Sequence, residues 1–358
     1  MFSIFLTAVN AILPIVLLIA IGYLLKRVKF LSKEFLKIGN KLVFNVCLPA
    51  MLFVNVYSID DLSGVNWGLV IYCVVAVLVI FCIGLVVSVL TTKISNRRGV
   101  ILQCCFRSNF AIIGTSLAMS LAGTAAGAQD TVNAVTAIIQ AFTIPVFNIL
   151  AVISLSVFVD KGVQYDEFGM IASPERAHVS VKKILLGIAK NPLILAICAG
   201  LLCVGVRYAE TAIWGYAPFT ISDDLEFIYT VLTYLRDMAS PLALIVLGGQ
   251  FEFSAVRGMT KEIVVATAFR LIIAPLIGVG MAVILSECTP LLDFGTTEYP
   301  ALIALFGSPV AVSSAIMAGE MGGDDQLAGQ LVVWTSVCSI FTLFITVFIF
   351  MSVGLLAV

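Results

Sequence analysis

The sequence predicts an all-α polytopic membrane protein of ten transmembrane helices, and three observations carry that prediction. Of its 358 residues, 61% are hydrophobic and 11% charged, whereas a soluble domain carries about 45–50% and about 25%. Apolar runs recur along the chain at about 20 residues, the length needed to cross a hydrocarbon core about 30 Å thick. Lys and Arg, finally, crowd into alternate connections between those runs, the asymmetry that fixes the orientation of a multi-pass chain.

Cut at its charged and turn-rich connections, the chain gives spans at 3–25, 39–58, 67–92, 99–122, 130–158, 184–206, 226–252, 262–286, 299–320 and 326–356. The first span has no basic segment before it and exceeds the apolar core of a signal peptide, so it is expected to be retained. The first connection holds Lys26, Arg27, Lys29, Lys33, Lys37 and Lys41; the second, around Asp60 and Asp61, holds none. The third holds Lys93, Arg97 and Arg98, and the fourth none. Lys161, Arg176, Lys182, Lys183 and Lys190 follow the fifth span, and Arg257 and Lys261 separate the seventh from the eighth. Sixteen basic residues therefore fall on one side and Arg207 on the other, with Arg107, Arg236 and Arg270 inside the membrane, which accounts for all 20. The crowded side is predicted to be cytoplasmic, in a cell (inner) membrane, with both termini extracytoplasmic.

The polar stretch 159–183 divides the spans five and five, giving a first repeat over 1–158, a cytoplasmic loop over 159–183 and a second repeat over 184–358. An odd number of spans per half inverts the second half. Three short matches support a repeat. Asn45 lies four residues before Pro49 as Asp237 does before Pro241. Arg107-Ser108-Asn109 aligns with Gly307-Ser308-Pro309, and Asn10 with Pro14 aligns with Asn191 and Pro192.

Carriers built this way place substrate near the bilayer midplane, on helices interrupted so that backbone groups face a cavity. In the ninth span Gly307, Ser308, Pro309 and Ser313 fall at mid-depth, where Pro309 removes a backbone donor. In the fourth, Arg107, Ser108 and Asn109 stand where other spans have Leu and Val. Small and polar residues in such positions also serve simple helix packing. Buried charge is more telling, because an ionised side chain at the helix centre costs at least about 2.5–3.5 kcal/mol. Arg107, Arg236, Arg270 and Asp237 are the deepest, and three cations against one anion suit an anion cavity. Asp237 is the expected ion-coupling group, alternatively a structural partner of Arg107, and Arg236 and Arg270 are alternatively snorkelling side chains. Asn45 and Gln140 are candidate polar contacts or interhelical hydrogen bonds, as are Asn133, Asn148 and Gln330.

Several function classes are disfavoured. No Lys is followed by Ser or Thr, so no Walker A loop exists, and the single histidine, His178, lies in the middle loop. GTSLA at 114–118 superficially approaches a nucleophile elbow but sits within a predicted membrane helix. The nine cysteines lie almost all in apolar runs without metal-ligand spacing, so neither metal nor cofactor is expected, and confined basic residues leave no nucleic-acid face.

The sequence resembles the auxin efflux carrier family, which includes plant PIN-type exporters and bacterial malonate or malate permeases. The likeness rests on LPIVLLIAIGYLLKR near the start, NKLVFNVCLPAMLF at 40–53, FRSNFAIIGTSLA at 106–118, KNPLILAICAGLL at 190–202 and GSPVAVSSAIMA at 307–318. The resemblance implies a scaffold of helices 1, 2, 6 and 7, a transport part of helices 3–5 and 8–10, and fourth and ninth helices crossing at interruptions that hold a carboxylate. Its matching positions are Asn109 with its neighbours, and Ser308 with Pro309. PIN-type members carry prolines at both crossings, whereas no proline lies between Arg98 and Gly123, so a softer break is expected in the fourth span. The short middle loop suggests a bacterial-type member. The expected activity is secondary transport of a small organic carboxylate by alternating access, the alternatives being a passive anion channel or a membrane sensor. The expected partners are that anion, the lipid bilayer and a second copy through the scaffold helices. Arg107 and Asn109 differ by about 200° on an unbroken helix, so either the helix unwinds and both reach the substrate, or one does.

Overall fold

A computed structural model describes residues 2–58, 66–122, 127–158, 189–289 and 292–356. All regular elements among them are helical: α1 (Phe2–Arg27), α2 (Lys33–Tyr57), α3 (Trp67–Thr91), α4 (Ser95–Phe106), α5 (Thr115–Ser120), α6 (Ala128–Phe158) and α7 (Pro192–Trp214). There follow α8 (Ile221–Asp224), α9 (Glu226–Gln250), α10 (Thr260–Glu287), α11 (Glu298–Gly307), α12 (Ser313–Glu320) and α13 (Asp325–Ser352). Seven of these, α2, α3, α6, α7, α9, α10 and α13, are individually long and apolar enough to cross a membrane. The spans expected at 99–122 and 299–320 are each a pair of shorter helices, α4 with α5 and α11 with α12. The loop expected at 159–183, with His178, lies outside the described residues.

Local chemistry sets the boundaries. Asn66, Asn191 and Asp324 cap their helices by accepting from the N–H of Leu69, Leu193 and Leu327 at 3.1, 2.9 and 2.9 Å, satisfying donors that have no intrahelical partner. Pro192 occupies the first turn of α7, where its missing N–H costs nothing. Pro14, in contrast, lies inside α1, so the Asn10/Pro14 and Asn191/Pro192 pairs occupy different places in their helices. Within α2 a wide π turn over Val43–Cys47 precedes Pro49, whose ring would otherwise meet the carbonyl four residues back. Asn45 donates to the Lys41 carbonyl at 2.9 Å on the exposed face of this turn.

Helix α1 packs on α9, and α2 on α7. At the first crossing a Cβ on Gly22 would strike the Ile245 carbonyl, and one on Gly248 the Ile19 carbonyl. Two glycines thus let the backbones touch, which is how membrane helices gain van der Waals attraction without a hydrophobic drive. At one end of the molecule Arg97 of α4 holds Asp324, the cap of α13, at 2.8 Å and Glu262 of α10 at 3.1 Å, binding three elements together.

Candidate anion site at the helix interruptions

The chain leaves helical geometry after Phe106, with Arg107 at φ −86°, ψ 111° and Asn109 at φ −80°, ψ 46°, and again after Gly307, with Ser308 at φ −66°, ψ 150°. The two breaks lie against each other as a minimal antiparallel pair, Ser108 opposite Val310. The Asn109 N–H donates to the Pro309 carbonyl at 2.8 Å and the Ala311 N–H to the Arg107 carbonyl at 3.4 Å. These bonds exchange under a local twofold rotation that carries 107–109 onto 309–311. Ser108 thus faces Val310 across the pair, and not Ser308, its match in the sequence alignment.

The first break forms without a proline; it covers 107–109 and runs into a π turn over Phe110–Gly114, whereas the second covers 308–312. Pairing with the other break supplies the backbone partners that an unwound segment loses. Arg270, 1% exposed on α10, supplies the rest. Its Nε donates to the Ser308 carbonyl at 2.9 Å, its Nη2 to Leu305 and Phe306 at 3.2 and 2.9 Å, and its Nη1 to Phe106 and Cys105 at 3.3 and 3.5 Å. One guanidinium thus closes the C-terminal ends of both α4 and α11, where unpaired carbonyls concentrate partial negative charge. Arg270 neither snorkels nor faces the cavity, and its charge is used by the fold.

Arg107 is 3% exposed and differs in its partners. Its Nη1 donates to Gln103 Oε1 at 3.1 Å and to Met317 Sδ at 2.7 Å; its Nη2 donates to Asn148 Oδ1 at 2.7 Å and Ser313 Oγ at 2.9 Å. All four acceptors are neutral, and among the described residues no carboxylate pairs with it. A buried cation without a counter-ion is costly, and here it borders a cavity of about 50 Å³. The walls are Arg107, Ser108 and Asn109 from one break, Ala311, Val312 and Ser313 from the other, with Asn148 of α6, Met51 of α2 and Ser240 of α9. Ser108 Oγ and Asn109 Nδ2 are buried with no partner in the protein. Buried polar atoms are almost always paired; here a guanidinium without a counter-charge and two residues with an unpaired amide donor and hydroxyl line one space. Both Arg107 and Asn109 reach it, because the helix unwinds between them.

Other expected residues are placed elsewhere. Ser308 is fully buried and turns its hydroxyl back onto the Ala304 carbonyl at 2.6 Å, so it contributes backbone and not side chain. Pro309 offers its carbonyl to Asn109, and Gly307 packs on Leu343. Gln140 donates to the Phe110 carbonyl at 3.0 Å and Thr115 Oγ1 at 2.6 Å, holding the start of α5 instead of lining the cavity. Asp237 is 61% exposed at its side chain and pairs with adjacent Arg236 at 2.9 Å, which corrects the suggested pairing with Arg107. Asn45 is likewise outside the site. Three partners of Arg107 escaped singling out as site residues: Gln103, Met317 and Asn148. Asn148 alone carried a signal, as an isolated amide in an apolar span.

The family described as "Membrane transport protein" matches residues 7–347. A relative in Methanothermobacter thermautotrophicus, described as an uncharacterized transporter, is 23% identical over 345 residues, covering 95% of this chain and 97% of its own length.

Proposed function

The chain belongs to the membrane transport protein family, the auxin efflux carriers, and on that premise we propose that it is a secondary carrier for small organic carboxylates, bound at the paired interruptions and moved by alternating access. The observation that carries this reading is Arg107, a buried guanidinium with neutral partners only, beside the unpaired Asn109 Nδ2 and Ser108 Oγ. A carboxylate would supply the missing charge and accept from both the fork of Arg107 and the amide of Asn109. On the scale where one water takes about 10–15 Å³, the cavity seats a carboxylate head, with the remainder of the molecule directed toward Met51 and Ser240.

The same reading takes the chain as ten membrane-crossing units in two inverted halves, counting α4 with α5 and α11 with α12 as the fourth and ninth. The meeting of the breaks in the fourth and ninth units, with Ser108 opposite Val310, supports that arrangement. α1, α2, α7 and α9 form the scaffold, joined by the close α1–α9 and α2–α7 contacts, and the remaining helices form the moving part. The protein lies in the cell (inner) membrane with both termini extracytoplasmic. Proteoliposomes loaded with unlabelled malonate, succinate or another small carboxylate should take up the labelled compound by saturable counterflow. Steady conductance in planar bilayers without counterflow would instead identify an anion channel.

A further inference from the structure

A second cavity, of about 910 Å³, opens at the end of the molecule where α1 meets α2, and its walls carry Lys26, Arg27, Lys29, Lys33, Lys37 and Lys41. The same cavity is lined by Glu252, Glu320 and Asp325, and Glu320 Oε1 already accepts from the Asn40 amide at 2.7 Å. None of the six basic side chains forms a salt bridge among the described residues. The first turns of α2 show how they are aimed. At 100° per residue Lys33, Lys37 and Lys41 fall within an arc of about 80°. Leu36, Gly39 and Asn40 form the buried face on one side of that arc, and Phe35, Ile38 and Leu42 form an exposed apolar face on the other. The lysine face is therefore a strip between protein interior and lipid-facing surface, bordering a roomy cavity.

A second observation concerns Lys29. Among the described residues it is the one non-glycine residue with positive φ, at 63°. The bonds from Lys29 N to the Lys26 carbonyl and from Phe30 N to Leu25 close the end of α1 in the manner that ordinarily places glycine in this left-handed position. A side chain kept where glycine is easier is a sign of function, and this one lines the same cavity.

We propose that this vestibule is a second anion site, separate from the interruptions, in which Lys29, Lys33, Lys37 and Lys41 take an oxyanion group. Two sources share that chemistry. One is the phosphate of an anionic lipid, its acyl chains lying on Phe35, Ile38 and Leu42; the other is a free small anion from the aqueous side. Clustered basic residues beside a membrane span bind anionic headgroups in this way.

The test uses the full chain purified in neutral detergent, the triple variant Lys33→Gln/Lys37→Gln/Lys41→Gln, and Asn109→Ala as a control for the other site. Phosphatidylglycerol is scored against phosphatidylcholine by native mass spectrometry, and inorganic phosphate by thermal shift. The wild type should bind at least one probe. The triple variant should bind it at least about tenfold more weakly at unchanged ligand-free melting temperature, and Asn109→Ala should bind it normally. Lys29→Gly should melt no lower than wild type yet bind several-fold more weakly. Retention of phosphatidylglycerol alone identifies the lipid source, and a response to phosphate alone the free anion. Absence of both from the wild type, or equal binding by the folded triple variant, overturns the proposal. Loss in Asn109→Ala, with the triple variant unaffected, would assign the anion to the interruptions alone and overturn it as well.

Discussion

Replacing Arg270 with Met should unfold the crossing from beneath. The side chain is fully buried and its guanidinium serves five carbonyls at the ends of α4 and α11, two of them, Ser308 and Phe306, at 2.9 Å. A hydrogen bond to a charged group contributes about 1.5–3 kcal/mol, so the two shortest alone are worth about 3–6 kcal/mol. The longer contacts to Leu305, Phe106 and Cys105, at 3.2–3.5 Å, add less. Met fills most of the space but leaves the carbonyls without donors, in a place where water cannot substitute. Arg270→Lys keeps the charge but replaces a planar fork by a point donor with three hydrogens, so it should lose part of this and not all. Reversible unfolding in mixed micelles, with matched thermal melts, reads the difference. A loss below about 1 kcal/mol for Arg270→Met would refute the claim that one arginine holds both helix ends.

Further outcomes follow from other contacts. Gly22→Ala and Gly248→Ala should each destabilise by about 1–3 kcal/mol, since the added methyl meets a backbone carbonyl and not a movable side chain, as thermal melts would show. Asp237→Asn should change stability by less than about 1 kcal/mol, because the Arg236 pair is exposed, and should leave carboxylate affinity within about twofold of wild type. Asn148→Leu removes an acceptor from the Arg107 guanidinium and should lower both stability, by about 1.5–3 kcal/mol, and carboxylate affinity in the same preparation. A C-terminal alkaline phosphatase fusion should be active and a C-terminal fluorescent protein dark; the reverse would overturn the proposed orientation.

Composition and run length made the helical, membrane-spanning character readable from the sequence, because the bilayer imposes one length scale on every crossing element. The interruption after Gly307 was legible from Pro309, whose chemistry is local. The place of the break after Phe106 was legible from Arg107, Ser108 and Asn109, but what holds it was not, since Val310 and Arg270 lie more than 150 positions away. The same distance hid the roles of the buried arginines. Arg107 and Arg270 look alike in sequence, yet one meets helix-end carbonyls and the other neutral side chains, a difference that only packing creates. The partner of Asp237 was hidden for a related reason: which face of α9 it occupies, and so its pairing with Arg236 and not Arg107, depends on neighbours. That Ser108 faces Val310 was likewise not legible, because the approach of two distant segments sets which residues pair.

Whether a carboxylate completes the polar cluster at the interruptions is decided by calorimetric titration of small mono- and dicarboxylates into purified wild type, Asn109→Ala and Arg107→Met. The wild type should bind at least one carboxylate saturably. Binding should be at least about tenfold weaker in Asn109→Ala at unchanged ligand-free melting temperature, and abolished in Arg107→Met. Undiminished affinity in a well-folded Asn109→Ala protein, or carboxylate binding that survives loss of the Arg107 charge, would contradict the proposed site.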